Sequence, residues 1–221
     1  MRKFQFSNDN CYHIYNRGVE KRPIFHDLQD FQRLYESLYL FNDSKYQNSG
    51  TPFLNEALLA GHESNDRDLL VKIISFCLLP NHFHLMLQQV KDGGISSFMH
   101  RLGMGYAHYF NIKYGRSGRL FESTFQAVQI QKDSQFDHLP RYIHLNVLDL
   151  TDSEWRNCQA TNWDLALKSL NNYKWSSHHI YAGRAQPLPV VDEDSVRAMH
   201  PNVEEYLLYL KNYACSDTVA T

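Results

Sequence analysis

The sequence predicts an α+β fold, an antiparallel sheet covered by helices, and three observations carry that prediction. Runs at 11–18, 69–79 and 82–89 have the aromatic and β-branched content of strands. Helical spacing appears between them without strict β-α alternation. Pro80-Asn81 falls between two adjacent strand runs, which puts a hairpin in the middle of the chain.

Each element follows in order. The strand at 11–18 ends at Gly18, and Asp27 caps a helix whose apolar positions are Leu28, Phe31, Leu34, Tyr35 and Leu38. The polar stretch 42–68, broken by Gly50, Pro52 and Gly61 around an apolar piece at 53–60, reads as an insertion with a helical turn or two. After the hairpin, Gly93-Gly94 precedes a helix with Ile95, Phe98, Met99, Leu102, Tyr106, Tyr109 and Phe110 on one face. That helix stops near Gly115 and is weakened by Gly103 and Gly105. A basic loop at 115–119 leads to a strand at 121–131. A helix capped by Asp133 or Ser134 then runs through Tyr142 to about Leu148, with Pro140 either kinking it or marking its first turn. Residues 149–221 read as helical and loop material anchored by Trp155, Trp163 and Trp175. The division expected is a domain at 1–150, with its insertion at about 42–68, and a helical extension at 151–221.

At 221 residues, 43% hydrophobic, 21% charged and 14% aromatic, the chain can bury a core. Collagen-like, disordered and coiled-coil classes are excluded. No apolar run approaches the ~20 residues of a membrane span, and the N-terminus lacks the apolar stretch of a secretory signal. The expectation is a soluble, cytoplasmic protein with no membrane partner. Cys11, Cys77, Cys158 and Cys215 form no C-x-x-C pair and read as reduced, mostly buried thiols. The net charge of −2 conceals segregation: between 101 and 132, Arg101, Lys113, Arg116, Arg119 and Lys132 face one acid, Glu122.

Two residue pairs can carry chemistry. On a strand, His82 and His84 project from one face while Phe83 enters the other, so the two imidazoles form half of a metal site. The bland reading is two surface or hydrogen-bonded histidines, and the spacing alone leaves both open. On a helix, Tyr142 and Asn146 stack at i and i+4, a phenol beside an amide oxygen able to ligate a hard cation. Taken by itself, this pair is better read as a half-buried aromatic with a capped hydroxyl. A cupin-type metalloenzyme is set aside, because no glutamate follows His84 within 85–91.

Five motifs in order carry a resemblance. Pro80-Asn81-His82-Phe83-His84-Leu85-Met86-Leu87 resembles the strand signature of the HUH single-strand nucleases. Arg141-Tyr142-Ile143-His144-Leu145-Asn146-Val147 resembles the tyrosine helix of the single-tyrosine HUH transposases, the IS200-like family. The opening Tyr12-His13-Ile14-Tyr15-Asn16-Arg17-Gly18 is similar to that family's first strand. The stretch from Tyr114 to Glu122 is similar to its basic loop and following strand. Tyr173-Lys174-Trp175-Ser176-Ser177, with Tyr181 and Gly183, is similar to a tail of the REP-associated tyrosine transposases. The chain departs from the pattern in having Val147 where proline is usual, and in longer stretches at 42–68 and 149–172.

The resemblance implies a ferredoxin-like or RRM-like sheet, the HUH nuclease fold. It implies His82, His84 and Asn146 as ligands of Mg²⁺ or Mn²⁺, and Tyr142 as the nucleophile. The implied activity is metal-dependent cleavage and rejoining of single-stranded DNA through a 5′-phosphotyrosine, at hairpin-containing repeats or element ends. The alternative is an inactive, domesticated nucleic-acid binder on the same fold. The implied partner is single-stranded or hairpin DNA, acting on a monomer or homodimer associated with a bacterial-type nucleoid when on DNA. Arg17, Arg101, Lys113, Arg116 and Arg119 are the candidate DNA contacts, with Arg2, Lys3, Lys21 and Arg22 near the N-terminus.

Overall fold

The computed structural model describes residues 4–46, 67–157 and 162–215, without the side chain of Ser153. Four strands and two helices build the centre of the molecule: β1 (Cys11–Arg17), α1 (Leu28–Leu40), β2 (Val71–Leu79), β3 (His82–Gln89), α2 (Gly94–Lys113) and β4 (Gln126–Gln129). The sheet order is β2-β3-β1-β4 with every pair antiparallel. A β-α-β-β-α-β chain in that order is the ferredoxin-like arrangement the resemblance implied. Helix α3 (Asp133–Leu145) follows. The tail adds α4 (Trp163–Asn172), α5 (His178–Tyr181), α6 (Glu193–Met199) and α7 (Val203–Ala214), making seven helices among the described residues.

Local chemistry fixes the ends. The Asp27 side chain accepts from the Asp30 backbone N–H at 3.0 Å, and Asp30 reaches back to the Asp27 N–H, the reciprocal cap that starts α1. Gly103 and Gly105 do not stop α2. A Cβ at Gly105 would lie 2.7 Å from the Phe41 ring, so the glycine is there to let α2 approach α1's end. Pro80-Asn81 joins β2 to β3 as read from the sequence.

Three expectations are corrected. The strand at 121–131 shrinks to Gln126–Gln129, because the Asn16 side-chain amide donates to the carbonyls of Ser123 (3.0 Å) and Thr124 (2.9 Å) in place of a backbone ladder. Phe121 keeps only an isolated bridge to Gly18. Helix α3 ends at Leu145 rather than near Leu148, and a 3₁₀ turn continues it over Asn146–Leu150. Its N-cap is Lys132, and Pro140 lies inside it rather than at its first turn. Of the insertion read at 42–68, residues 47–66 lie outside the described residues; its two ends are joined by Ser44 N–H donating to the Asp68 carbonyl at 2.8 Å.

The strand period sorts the two faces. Tyr12, Ile14, Phe83, Leu85 and Leu87 are buried on one face, and Phe83 and Tyr106 of α2 meet at Phe121 while Phe76 meets Tyr35 of α1. His13, Tyr15, Arg17, His82 and His84 occupy the other, with Tyr15 opposite His84 and Arg17 opposite His82. Helix α3 lies over this second face.

The tail closes the sheet's β2 edge. Leu78 N–H donates to the Trp175 carbonyl at 2.8 Å and Ser177 N–H to the Phe76 carbonyl at 2.9 Å, so the unpaired backbone of an edge strand is covered. Trp155 is fully buried, while Trp163 and Trp175 are half-buried against the core. Cys11 and Cys77 are buried free thiols and Cys215 is half-buried; Cys158 lies outside the described residues. No described helix is long and apolar enough to cross a membrane.

Candidate active site

A cleft of about 1050 Å³ opens between the second sheet face and α3. It is lined from the sheet by His13, Tyr15, Arg17, His82 and His84, and from α3 and the turns after it by His138, Tyr142, Asn146, Asp149 and Arg156. The His82 and His84 rings sit 5.0 Å apart between centroids, and the Tyr142 ring stands edge-on to His84 at 5.7 Å. Residues 58 and 60 positions apart in sequence are thus brought together by packing one helix on one strand.

Asn146 completes the group one helical turn after Tyr142. It is fully buried; its Nδ2 donates to the Tyr142 carbonyl at 2.6 Å and its Oδ1 accepts from Arg156 at 2.8 Å. Arg156 is itself held by Asp149, through Nε at 2.8 Å and a second contact from its NH2 group, and its guanidinium lies 5.9 Å from the Tyr142 ring. The amide cannot rotate without breaking both bonds, so its oxygen is fixed in place.

Burial depresses the proton affinity of the sheet histidines. His13 and His82 both fall from 6.5 to about 4, with the Arg17 charge adding to the effect at His82, and His84 falls well below its ordinary value through burial and then the proximity of His13. At neutral pH all three are neutral imidazoles, each with one lone pair. Among the described residues no three His, Cys, Asp or Glu side chains are grouped to hold a metal ion. The cleft instead gathers two imidazoles and one amide oxygen, neutral groups whose chemistry suits a borderline divalent cation such as Mn²⁺ better than the oxygen-seeking Mg²⁺.

The basic residues divide. Arg17 lines the cleft. Arg119 is exposed and donates to the Glu122 carbonyl at 3.2 Å, and half-buried Arg116 stacks over Phe110 at 5.4 Å. Lys113 is bound by Asp27 and Asp30, each at 2.8 Å, and Arg101 donates to the Asp43 carbonyl at 2.7 Å, so both serve the scaffold away from the cleft. Arg22 pairs with Glu20, and the Lys21 carbonyl accepts from Asn81; Arg2 and Lys3 lie outside the described residues.

Sequence reasoning missed His13, Tyr15, Asp149 and Arg156. The first two share a face with Arg17 by strand alternation, a signal that becomes useful only once β1 is known to pair with β3. Arg156 sits on a 3₁₀ turn, Ser153–Asn157, in a stretch that reads as an insertion, and nothing in its neighbours marks it.

Comparison with known proteins shows what the chain is similar to. No curated protein matches the chain. Among solved structures it is similar to a REP-associated tyrosine transposase bound to a REP hairpin, at a TM-score of 0.49 and 12% identity over 83% of this chain and 85% of that one. The profile of the family described as "Transposase IS200 like" matches residues 53–146, a segment that contains His82, His84, Tyr142 and Asn146. Over that segment, 94 of the 221 residues, the chain is similar to the IS200-like transposase family.

Proposed function

We propose that the chain is a metal-dependent single-strand DNA transposase that cleaves and rejoins DNA through a phosphotyrosine at Tyr142. The observation that carries this reading is the cleft in which the Tyr142 ring meets His84 edge-on at 5.7 Å, with His82 beside it. His82, His84 and Asn146 would hold a divalent cation, which supplies Lewis-acid polarisation of the scissile phosphate.

In this reading the Tyr142 oxygen attacks phosphorus, forming a P–O bond to the phenol while the bond from phosphorus to the 3′-oxygen breaks. The phenol's proton ends on the released 3′-hydroxyl, so the exchange balances and the new ester retains the energy for rejoining. His138, stacked on Tyr142 at 6.4 Å, is not the base: Arg141 donates to its Nδ1 at 2.7 Å, which leaves the ring's proton on Nε2. Arg17 lines the same cleft and would hold the phosphodiester backbone. Single strands or hairpin ends are the substrate class, because Tyr15 and the cleft wall offer stacking and charge rather than a helix for a groove.

A second reading, a catalytically silent binder, is favoured by one observation: Arg156 already occupies one lone pair of the Asn146 oxygen. A denaturing gel separates the two. Wild type and Tyr142→Phe are mixed with labelled single-stranded hairpin DNAs, including sequences flanking the gene, with and without Mn²⁺. The expected result is a metal-dependent covalent adduct in the wild type and none in Tyr142→Phe. An adduct that persists in the variant means another nucleophile. DNA binding without any adduct selects the silent binder.

A further inference from the structure

The two candidate ligand histidines are each held from behind. His82 Nδ1 lies 2.6 Å from Asn81 Oδ1, and the Asn81 amide is oriented by its Nδ2 donating to the Lys21 carbonyl at 3.1 Å. An amide oxygen only accepts, so the His82 proton sits on Nδ1. His84 Nδ1 lies 2.9 Å from His13 Nε2. Among the described residues, neither His82 Nε2 nor His84 Nε2 makes a hydrogen bond, and both rings line the cleft.

From this geometry we infer that Asn81 and His13 are positioning residues, acceptors that hold His82 and His84 as Nδ1–H tautomers and present both Nε2 lone pairs to the cleft. The inference rests on the metal reading of the site and goes beyond it, naming what sets the ligands' protons and ring angles. For His84 the direction of the bond decides everything. With the proton on His84 Nδ1, the ring offers a lone pair to a cation. With the proton on His13 Nε2, His84 would offer an N–H, which repels one. The same arrangement on both rings, one acceptor behind and one free lone pair in front, is the outer-shell pattern that fixes metal-ligating histidines. It is built from two unrelated sources: a turn residue next in sequence to His82, and a residue 71 positions away placed diagonally across the β1–β3 pairing.

Two measurements on the full chain test this. Long-range ¹H–¹⁵N spectra of ¹⁵N-histidine-labelled, metal-free protein at neutral pH read the tautomers directly. The expected result is a protonated Nδ1 and a bare Nε2 on both His82 and His84; a proton on Nε2 of either overturns the inference. Mn²⁺ binding followed by electron paramagnetic resonance reads the consequence. His13→Leu and Asn81→Ala are each expected to weaken Mn²⁺ binding by about 10–100-fold, whereas His13→Gln and Asn81→Asp, which keep an acceptor oxygen, recover most of it. These two also control for any loss of folding in the first pair. Wild-type affinity in both His13→Leu and Asn81→Ala overturns the inference and leaves the metal reading standing. A wild type that binds no more Mn²⁺ than His82→Ala overturns the metal reading, and the inference with it.

Discussion

Two histidine clusters lie on either side of α3, and they are built to opposite ends. Among the described residues, His13, His82 and His84 each keep a ring nitrogen free of hydrogen bonds, and all three rings line the cleft. Behind the helix, His144 and His178 are fully buried and use every nitrogen. There the contacts run in a chain: His178 Nε2 with Asn171 Oδ1 at 3.3 Å, His178 Nδ1 with the Tyr206 hydroxyl at 2.8 Å, the same hydroxyl with His144 Nδ1 at 2.8 Å, and His144 Nε2 with the Ser177 hydroxyl at 2.7 Å. Ser177 in turn accepts from the Phe76 N–H of β2 at 2.8 Å. A saturated network can only hold parts together, here α7, the tail and β2 against α3. An unsaturated one has capacity for a ligand. Tyr142 and His144 are two residues apart on one helix and so face roughly opposite ways, one toward each cluster.

Acid should produce the largest effect, because it strikes both clusters. Burial lowers His13 and His82 to about 4 and His178 to about 3, against 6.5 in an unfolded chain. Between those limits the unfolded state binds more protons, so the stability these neutral rings contribute is complete above pH ~6.5 and declines as pH falls toward 4. The melting midpoint followed from pH 7.5 to pH 4 should drop steadily over that window; a flat profile would mean that neither cluster is buried as described.

Tyr206→Phe comes next. It leaves one buried nitrogen on each of His144 and His178 without a partner, at a cost of about 3 kcal/mol. For a chain of this size that lowers the melting midpoint by roughly 6–12 °C. His82→Ala is the matching change in the cleft, where a half-buried ring with a free nitrogen contributes under about 1 kcal/mol to stability yet its removal should abolish adduct formation. Equal destabilisation by the two variants would erase the distinction between holding and working histidines.

Smallest is the effect of Arg116→Ala with Arg119→Ala. Their stability change should stay within about 0.5 kcal/mol, while the log–log salt slope of single-strand binding falls by about 0.7 for each phosphate no longer neutralised. An unchanged slope would place the loop outside the DNA interface. Lys113 makes the contrast: its charge is taken up by Asp27 and Asp30, so Lys113→Met should melt earlier and leave the salt slope unchanged.

Much of this was legible in the sequence. Side-chain periodicity is local, so the β-α-β-β-α-β order, the Asp27 cap, the hairpin at Pro80-Asn81 and the shared face of His82 and His84 could all be read from neighbours in the chain. So could the turn that stacks Asn146 below Tyr142. What only the tertiary structure decided were facts of pairing and packing. The β1–β3 register sets His13 behind His84, and the Asn16 side chain cuts β4 short. The fold of the tail brings Arg156 onto Asn146, while α1 and the turn after it engage Lys113 and Arg101 away from the cleft. A charge or a lone pair is available only if nothing else in the folded chain uses it. Lys113 finds its partner Asp27 86 residues away, beyond any local pattern.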